Sequence, residues 1–325
     1  MANRRSRYPI IALLALLLCG CIANQPQPKA FKVGILQLVD ALADVEDGFK
    51  AGMADLGYVA HRNVTYVERN AKGNMDVLER FAHELVDQDV DLIVSVTTPA
   101  SVVAMNAGAE KQIPVVFVMV SDPIGAGLAA SMAQPGGRAT GIMDGDIQTV
   151  GKRLEILQEI APDIHNVLSV YTYEEALLPG EENLRQAATT LGLELVERQV
   201  HTTDEARAAF RSLQQGEADA IFVPSDGLIV DAKDAITELS VRDGLPQVGP
   251  GGVSEFVLAS YGANFYQAGA QGASLADKVL KGTDPASLPV EVARDFDLIL
   301  NLKVAGQIGI AVPDEILYLA DNISE

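Results

Sequence analysis

The chain has 325 residues, 48% of them hydrophobic and 21% charged, with 28 glycines. That length exceeds one ordinary domain and suits two of about 120 to 150 residues each, both large enough to bury a core. A formal net charge of −20 makes nucleic acid a poor partner, and four histidines and two cysteines without metal-site spacing argue against a transition-metal centre.

Residues 1–20 read as an export signal: Arg4, Arg5 and Arg7 come first, Ile10 to Leu18 form an apolar core, and small residues precede a cut. The apolar run is shorter than the roughly 20 residues that a membrane-spanning helix needs. Leu18-Cys19-Gly20-Cys21 resembles the lipobox of bacterial lipoproteins, which implies that Cys21 becomes a lipidated amino terminus; the alternative is a plain secretory signal with an incidental pair of cysteines. With Cys19 cut away, the mature chain has one cysteine and no internal disulfide. Residues 21–30, polar and bearing prolines, read as a tether.

From Phe31 the pattern alternates strand and helix. Phe31 to Leu38 is a strand, and Leu42, Val45, Phe49, Met53 and Leu56 follow at helical spacing until Gly57. Asn63 to Glu68 is the next strand and Met75 to Asp87 the next helix, with Val77, Leu78, Phe81 and Leu85 inward. The β-branched run Asp91 to Val96 then meets Thr97-Thr98-Pro99-Ala100-Ser101. Thr98 is expected to cap a helix that has Pro99 at its first position, so that free amides point over the carboxyl end of the strand, where anions bind. Val115 to Val120 is a second buried strand, ending in Ser121-Asp122-Pro123, and Ala139 to Met143 closes this unit. Repeated βα units imply a parallel sheet covered on both faces, with ligands at its carboxyl edge.

The alternation restarts beyond Asp144, with helices expected over 150–160, 181–191 and 204–214 and strands over 167–171, 193–198 and 218–223. Pro224-Ser225-Asp226-Gly227 then leads into a helix that runs to Arg242, before a short strand at 247–249. The tail offers a strand at 257–261, a helix at 266–281, a strand at 290–300 and a helical 302–309. It is too short for a third domain and is expected to return and complete the two lobes: 31–143 with 250–283, and 144–249 with 284–325. Three connections between the lobes would form a hinge. The predicted fold is therefore α/β, two Rossmann-like lobes with parallel sheets.

The strand ends supply candidate ligand contacts across a cleft. Gln37, Thr97, Thr98, Ala100, Ser101, Ser121 and Asp122 lie on one side and Tyr171, Tyr173, Ser225 and Asp226 on the other, and Tyr261 is a further candidate for the pocket. Amides at Thr98 suit a carboxylate and either aspartate suits an ammonium. Each has a plainer use: Asp122 before Pro123 is also a turn residue, Asp226 also a helix cap, and Gln37 also a solvated loop residue. Tyr171, Tyr173, Tyr261, Phe265 and Tyr266 are candidates for an aromatic wall, though most such aromatics belong to a core. G-x-S-x-G, P-loop and G-x-G-x-x-G patterns are lacking, and no nucleophile is coupled to a base, so an enzyme is not expected.

Seven segments, in order, resemble the ABC-transporter substrate-binding proteins of type I periplasmic-binding-protein architecture: VGILQLVD, DLIVSVTTPAS, IPVVFVMVSDPIGAGL, PGGRATGI, DAIFVPSDG, LASYGANFYQAGAQGASLADKVLKG and FDLILNLKVAGQIGIAVPDEIL. The resemblance implies an exported, lipid-anchored monomer that needs no cofactor. It would capture a small solute between two lobes and deliver it to a permease driven by ATPase subunits. Relatives that bind aromatic amino acids make an amino-acid-like ligand the expectation. A ligand-sensing module for a membrane receptor is the alternative. On the same resemblance Thr98, Ala100 and Ser101 match the family's T-P-A segment, Ser121 and Asp122 its T/S-D-P turn, and Asp226 the aspartate of its P-T-D-N segment. Gly227 replaces the usual asparagine, and Val248 to Gly252 departs from the acidic or hydroxyl residues that relatives carry there.

Overall fold

A computed structural model describes residues 30–172 and 178–325. The expectations for the export signal, the lipidated Cys21 and Tyr173 fall outside those residues.

The first sheet grows from strands that are apolar on both faces. β1 (Phe31–Gln37) lies between β2 (Val64–Asn70) and β3 (Leu92–Val96), and β4 (Val115–Val120), β5 (Ala139–Met143) and β11 (Glu291–Val292) extend it, all parallel, in the order β2-β1-β3-β4-β5-β11. Because side chains alternate along a strand, Val33, Ile35, Leu92, Val94 and Val118 join one core with helices α1 (Ala43–Asp55) and α9 (Phe265–Leu280). Leu36, Ile93, Phe117 and Val120 join the opposite core with α2 (Met75–Asp87) and α3 (Thr98–Ala107).

The second sheet runs β7 (Glu194–Val200), β6 (Asn166–Thr172), β8 (Ala220–Phe222), β9 (Gln247–Gly249), β10 (Ala259–Ala263), β12 (Phe296–Asn301) and β13 (Asn322–Ser324). One face buries α4 (Asp146–Ile160) and α5 (Leu178–Leu191), together with α10 (Leu302–Ile308) and Ile316 of α11 (Asp314–Leu319). The other face buries α6 (Thr203–Ser212), α7 (Gly227–Val230) and α8 (Lys233–Asp243). β12 is antiparallel to β10 and parallel to β13, so this sheet is mixed at one edge. Among the described residues no helix is long and apolar enough to cross a membrane.

The expected lobe boundaries move. Residues 250–283 do not all belong with the first sheet, because β10 pairs with β9 and β12; only α9 returns to the first lobe. The single strand expected over 290–300 is two strands in different sheets, β11 and β12, parted at Ala293-Arg294-Asp295. An apolar stretch reads alike whichever sheet receives it, which is why the crossing was invisible in the pattern. In sheet terms the chain passes between lobes at 143–146, 263–265 and 292–296. These passages are stitched together: the Ala293 amide donates to the Met143 carbonyl (2.8 Å) and the Asn264 amide to that of Asp295 (2.9 Å). Gly145, at φ 71°, faces Val292 and Phe296 so closely that a Cβ there would stand 2.9 Å from the Phe296 ring.

Candidate ligand-binding site

The carboxyl edges of both sheets open onto one cleft of about 490 Å³. β3 and β4 reach it through strained backbone. Thr97 has φ 79° and ψ 162°, a region that a β-branched residue occupies at a cost of about 1–3 kcal/mol. Next to it Met119 has φ 62°, where the pairing of β4 with β5 slips between Val118 and Val120. Both residues line the cleft, and the Thr97 hydroxyl is buried there without a hydrogen-bond partner among the described residues. The strain therefore aims side chains at the gap between the lobes.

Thr97, not Thr98, precedes α3, and its side chain makes no cap hydrogen bond. The first helical amide to find an acceptor is that of Ser101, on the Thr97 carbonyl (3.1 Å). The amides of Thr98 and Ala100 before it have no acceptor within the helix, as at any helix start. Thr98 and Pro99 line the cleft, whereas Ala100 and Ser101 are fully buried behind it. The Ser101 hydroxyl donates back to the Thr97 carbonyl (2.7 Å) and accepts from the Ser95 hydroxyl (2.9 Å).

On the facing side the dominant residue is one that the sequence reading passed over. Arg153 of α4 is 1% exposed and lines the cleft. Its Nε donates to the Tyr261 carbonyl (2.8 Å), its Nη2 is bound by the Asp146 carboxylate, and its Nη1 is buried with no partner among the described residues. Asp144 stands beside it, accepting from the Ser121 hydroxyl (2.5 Å) and the Asp146 amide (2.9 Å). Burial, and then the neighbouring Asp146 charge, push the Asp144 carboxyl above its ordinary pKa, while the Ser121 hydrogen bond opposes them.

The remaining predicted residues divide. Ser121 and Asp226 line the cleft. Asp226 is also a structural clasp, accepting from the Thr172 amide (3.1 Å), the Thr172 hydroxyl (2.5 Å) and the Leu228 amide (2.9 Å) that opens α7. Asp122 does not line it, and its carboxylate closes its own turn through the amides of Ile124 (3.1 Å) and Gly125 (2.8 Å). Gln37 is buried beside β2, holding Glu46 (2.9 Å) and Asn70 (3.1 Å). Tyr171 lies under the Arg185 guanidinium (5.9 Å from the ring centre), and Tyr261 stacks on Phe296 (6.0 Å). Tyr266 is exposed. Of the described aromatics singled out in the sequence, Phe265 reaches the cleft, beside Leu38, Leu42 and Met119.

Residues 32–324 match the family model described as ABC transporter substrate binding protein. The chain belongs to that family.

Among similar substrate-binding proteins is the tyrosine-binding protein of Clostridioides difficile, 30% identical over 84% of this chain and 79% of that one. Among solved structures, a conserved domain protein of Vibrio cholerae is 30% identical (TM-score 0.78). A Streptococcus pneumoniae domain in complex with L-Trp is 26% identical (TM-score 0.77). Each of those two alignments covers 91% of this chain and all of the other. Two doubly wound lobes joined by three passages give this substrate-binding protein the type I periplasmic-binding-protein fold.

In it, Arg153 carried a signal that sequence reasoning could have used. It sits three residues after Val150 and four before Leu157 on the apolar stripe of α4, where a cation has no reason to be unless it is paired. Glu181, buried three residues before Leu184 on α5, carries the same signal.

Proposed function

We propose that the protein is the extracytoplasmic solute-binding lipoprotein of an ABC importer, and that its solute is an α-amino acid with a bulky apolar side chain. The observation that carries the ligand class is the buried Arg153 guanidinium, with Nη1 unpartnered, in a cleft that also holds carboxylates and an apolar wall. A free carboxylate supplies the acceptor that Nη1 lacks, in a charge-assisted hydrogen bond. The amides at the start of α3 add a second source of positive potential from the facing lobe. Leu38, Leu42, Met119 and Phe265 offer the side chain an apolar seat. Relatives described as tyrosine-binding and as bound to L-Trp agree with this chemistry.

Capture works as a population shift. A solute that touches both lobes favours their closed arrangement, and a permease that reads closure thereby reads occupancy. The passages at 143–146, 263–265 and 292–296 are where the chain bends. Membership in a family of substrate-binding proteins supports release of the solute unaltered, with a single monomer sufficing for capture. Family membership supports delivery to a permease with its ATPase subunits, and the Leu18 to Cys21 segment supports attachment through a lipidated Cys21.

The test is a thermal-shift and calorimetry panel over the amino acids. An aromatic amino acid at 100 times its Kd is expected to stabilise the protein by about 2.7 kcal/mol. Silence across the whole panel overturns the ligand class. The intact mass of detergent-extracted protein, compared with that of Cys21→Ser, tests the anchor separately.

A further inference from the structure

Beside the cleft lies a second, smaller chamber of about 40 Å³. It shares Ser121, Asp146, Arg153, Ser225 and Asp226 with the cleft, so the two adjoin. Its apolar walls are Ile147, Val150, Phe222 and Pro224, and it is further lined by Glu181. Glu181 is 5% exposed, and its Oε2 is buried without a hydrogen-bond partner among the described residues.

Four carboxyls border the cleft and chamber, and three are already engaged. Asp144 accepts from Ser121 and Asp146, Asp146 holds Arg153, and Asp226 accepts from Thr172 and Leu228. Among the described residues, Glu181 is the one of the four with a buried oxygen that accepts nothing, just as Arg153 Nη1 is a buried donor that gives to nothing. Both border the same chamber. A buried acceptor left open is costly, and a ligand donor is what removes the cost. Size fixes which part of the ligand enters. At about 10–15 Å³ for each water-sized group, the chamber admits an ammonium and the carbon that bears it, but no aromatic ring.

We propose that Glu181 is the counter-ion of the ligand's ammonium group: the amino head enters the chamber against Glu181, the carboxylate stays on Arg153 where cleft and chamber adjoin, and the side chain stays in the main cleft. The assignment rests on the amino-acid reading above and adds to it the residue that selects amines. It also couples capture to protons. Burial holds the Glu181 carboxyl up at about 7, with Arg185 opposing and Glu197 and Asp226 acting in the same direction as burial; Arg153 and Asp146 of α4 border the same chamber. Pairing with an ammonium requires the ionised form. Binding near neutral pH therefore releases a proton, and affinity falls as the pH drops below about 7, by up to about tenfold per pH unit.

The experiment is calorimetry of wild type and Glu181→Gln at pH 8 with L-tyrosine, tyramine, which lacks the carboxylate, and 3-(4-hydroxyphenyl)propionate, which lacks the amine. Glu181→Gln is expected to weaken tyrosine and tyramine about 30-fold or more and to leave the amine-free acid unchanged, as for loss of one partner of a buried charge pair. At pH 7 the wild type should release a proton on binding tyrosine, seen as heats that vary with the ionisation enthalpy of the buffer, and the variant should not. Equal weakening of all three compounds, or of none, overturns the assignment while leaving the amino-acid reading intact. If the panel selects another amino acid, the trio is built on that one, and if no amino acid binds wild type both readings fall together. Should Glu181→Gln melt early, Glu181→Asp, which keeps the charge on a shorter side chain, takes its place and is expected to weaken tyrosine and tyramine while leaving the amine-free acid unchanged.

Discussion

Replacing Glu181 with Gln should change how stability depends on pH in the ligand-free protein, because burial holds this carboxyl at about 7 against an ordinary 4.5. Below pH 4.5 it is neutral in both the folded and the unfolded chain and adds no penalty. Between 4.5 and 7 the unfolded chain ionises it and the folded protein does not, so stability falls as pH rises; above 7 the penalty is constant. A gap of about 2.5 pH units at about 1.36 kcal/mol each amounts to about 3 kcal/mol. Glutamine has nothing to titrate, and whatever its amide gains or loses in the chamber is the same at every pH. The unfolding free energy of Glu181→Gln minus that of wild type should therefore grow by about 3 kcal/mol from pH 4.5 to pH 8. Urea melts followed by far-ultraviolet circular dichroism, on protein stripped of solute by unfolding and refolding, measure it. A difference that stays flat across this range refutes the buried-carboxyl account.

Arg153→Met should cost about 3–5 kcal/mol by the same melts, because it leaves the Asp146 carboxylate without its buried partner, and it should also abolish tyrosine binding. Thr97→Gly removes a β-branched residue from φ 79° and is expected to stabilise the protein by about 1 kcal/mol, while tyrosine affinity falls with loss of the cleft hydroxyl. Gly269→Ala should destabilise by about 1–3 kcal/mol, since a methyl group there would collide with the Val45 carbonyl oxygen where α9 lies against α1. Its ligand affinity, measured below the melting transition, should match wild type.

The architecture was legible because each strand buried on two faces announces a parallel sheet, and each βα junction announces a carboxyl edge. Runs such as Leu92–Val96 and Val115–Val120 leave little else for the chain to do. Thr97, Thr98, Ser121 and Asp226 came to the cleft for the same reason: they stand in the turns that follow parallel strands. Two things were hidden. One was which sheet receives a late strand, since β10 and β11 depend on long-range pairing that local periodicity does not encode. The other was chemistry carried on helices. Arg153 and Glu181 lie on apolar stripes of α4 and α5, where turn chemistry does not mark them, rather than at strand ends. Asp122 has the composition of a ligand contact and the geometry of a turn, because its Oδ1 already accepts from the Ile124 and Gly125 amides.

The return of α9 to the first lobe also governs how this molecule can be born. Ala268, Ala273, Leu275 and Ala276 complete a core begun by Val33 and Ile35, and the Tyr58 hydroxyl donates to Asp277 across that gap (2.9 Å). A nascent chain emerging from its amino end thus carries an unfinished first half until the second is nearly synthesised. Such a polypeptide stays threadable for most of its synthesis, and it matures as one event once both halves have arrived together.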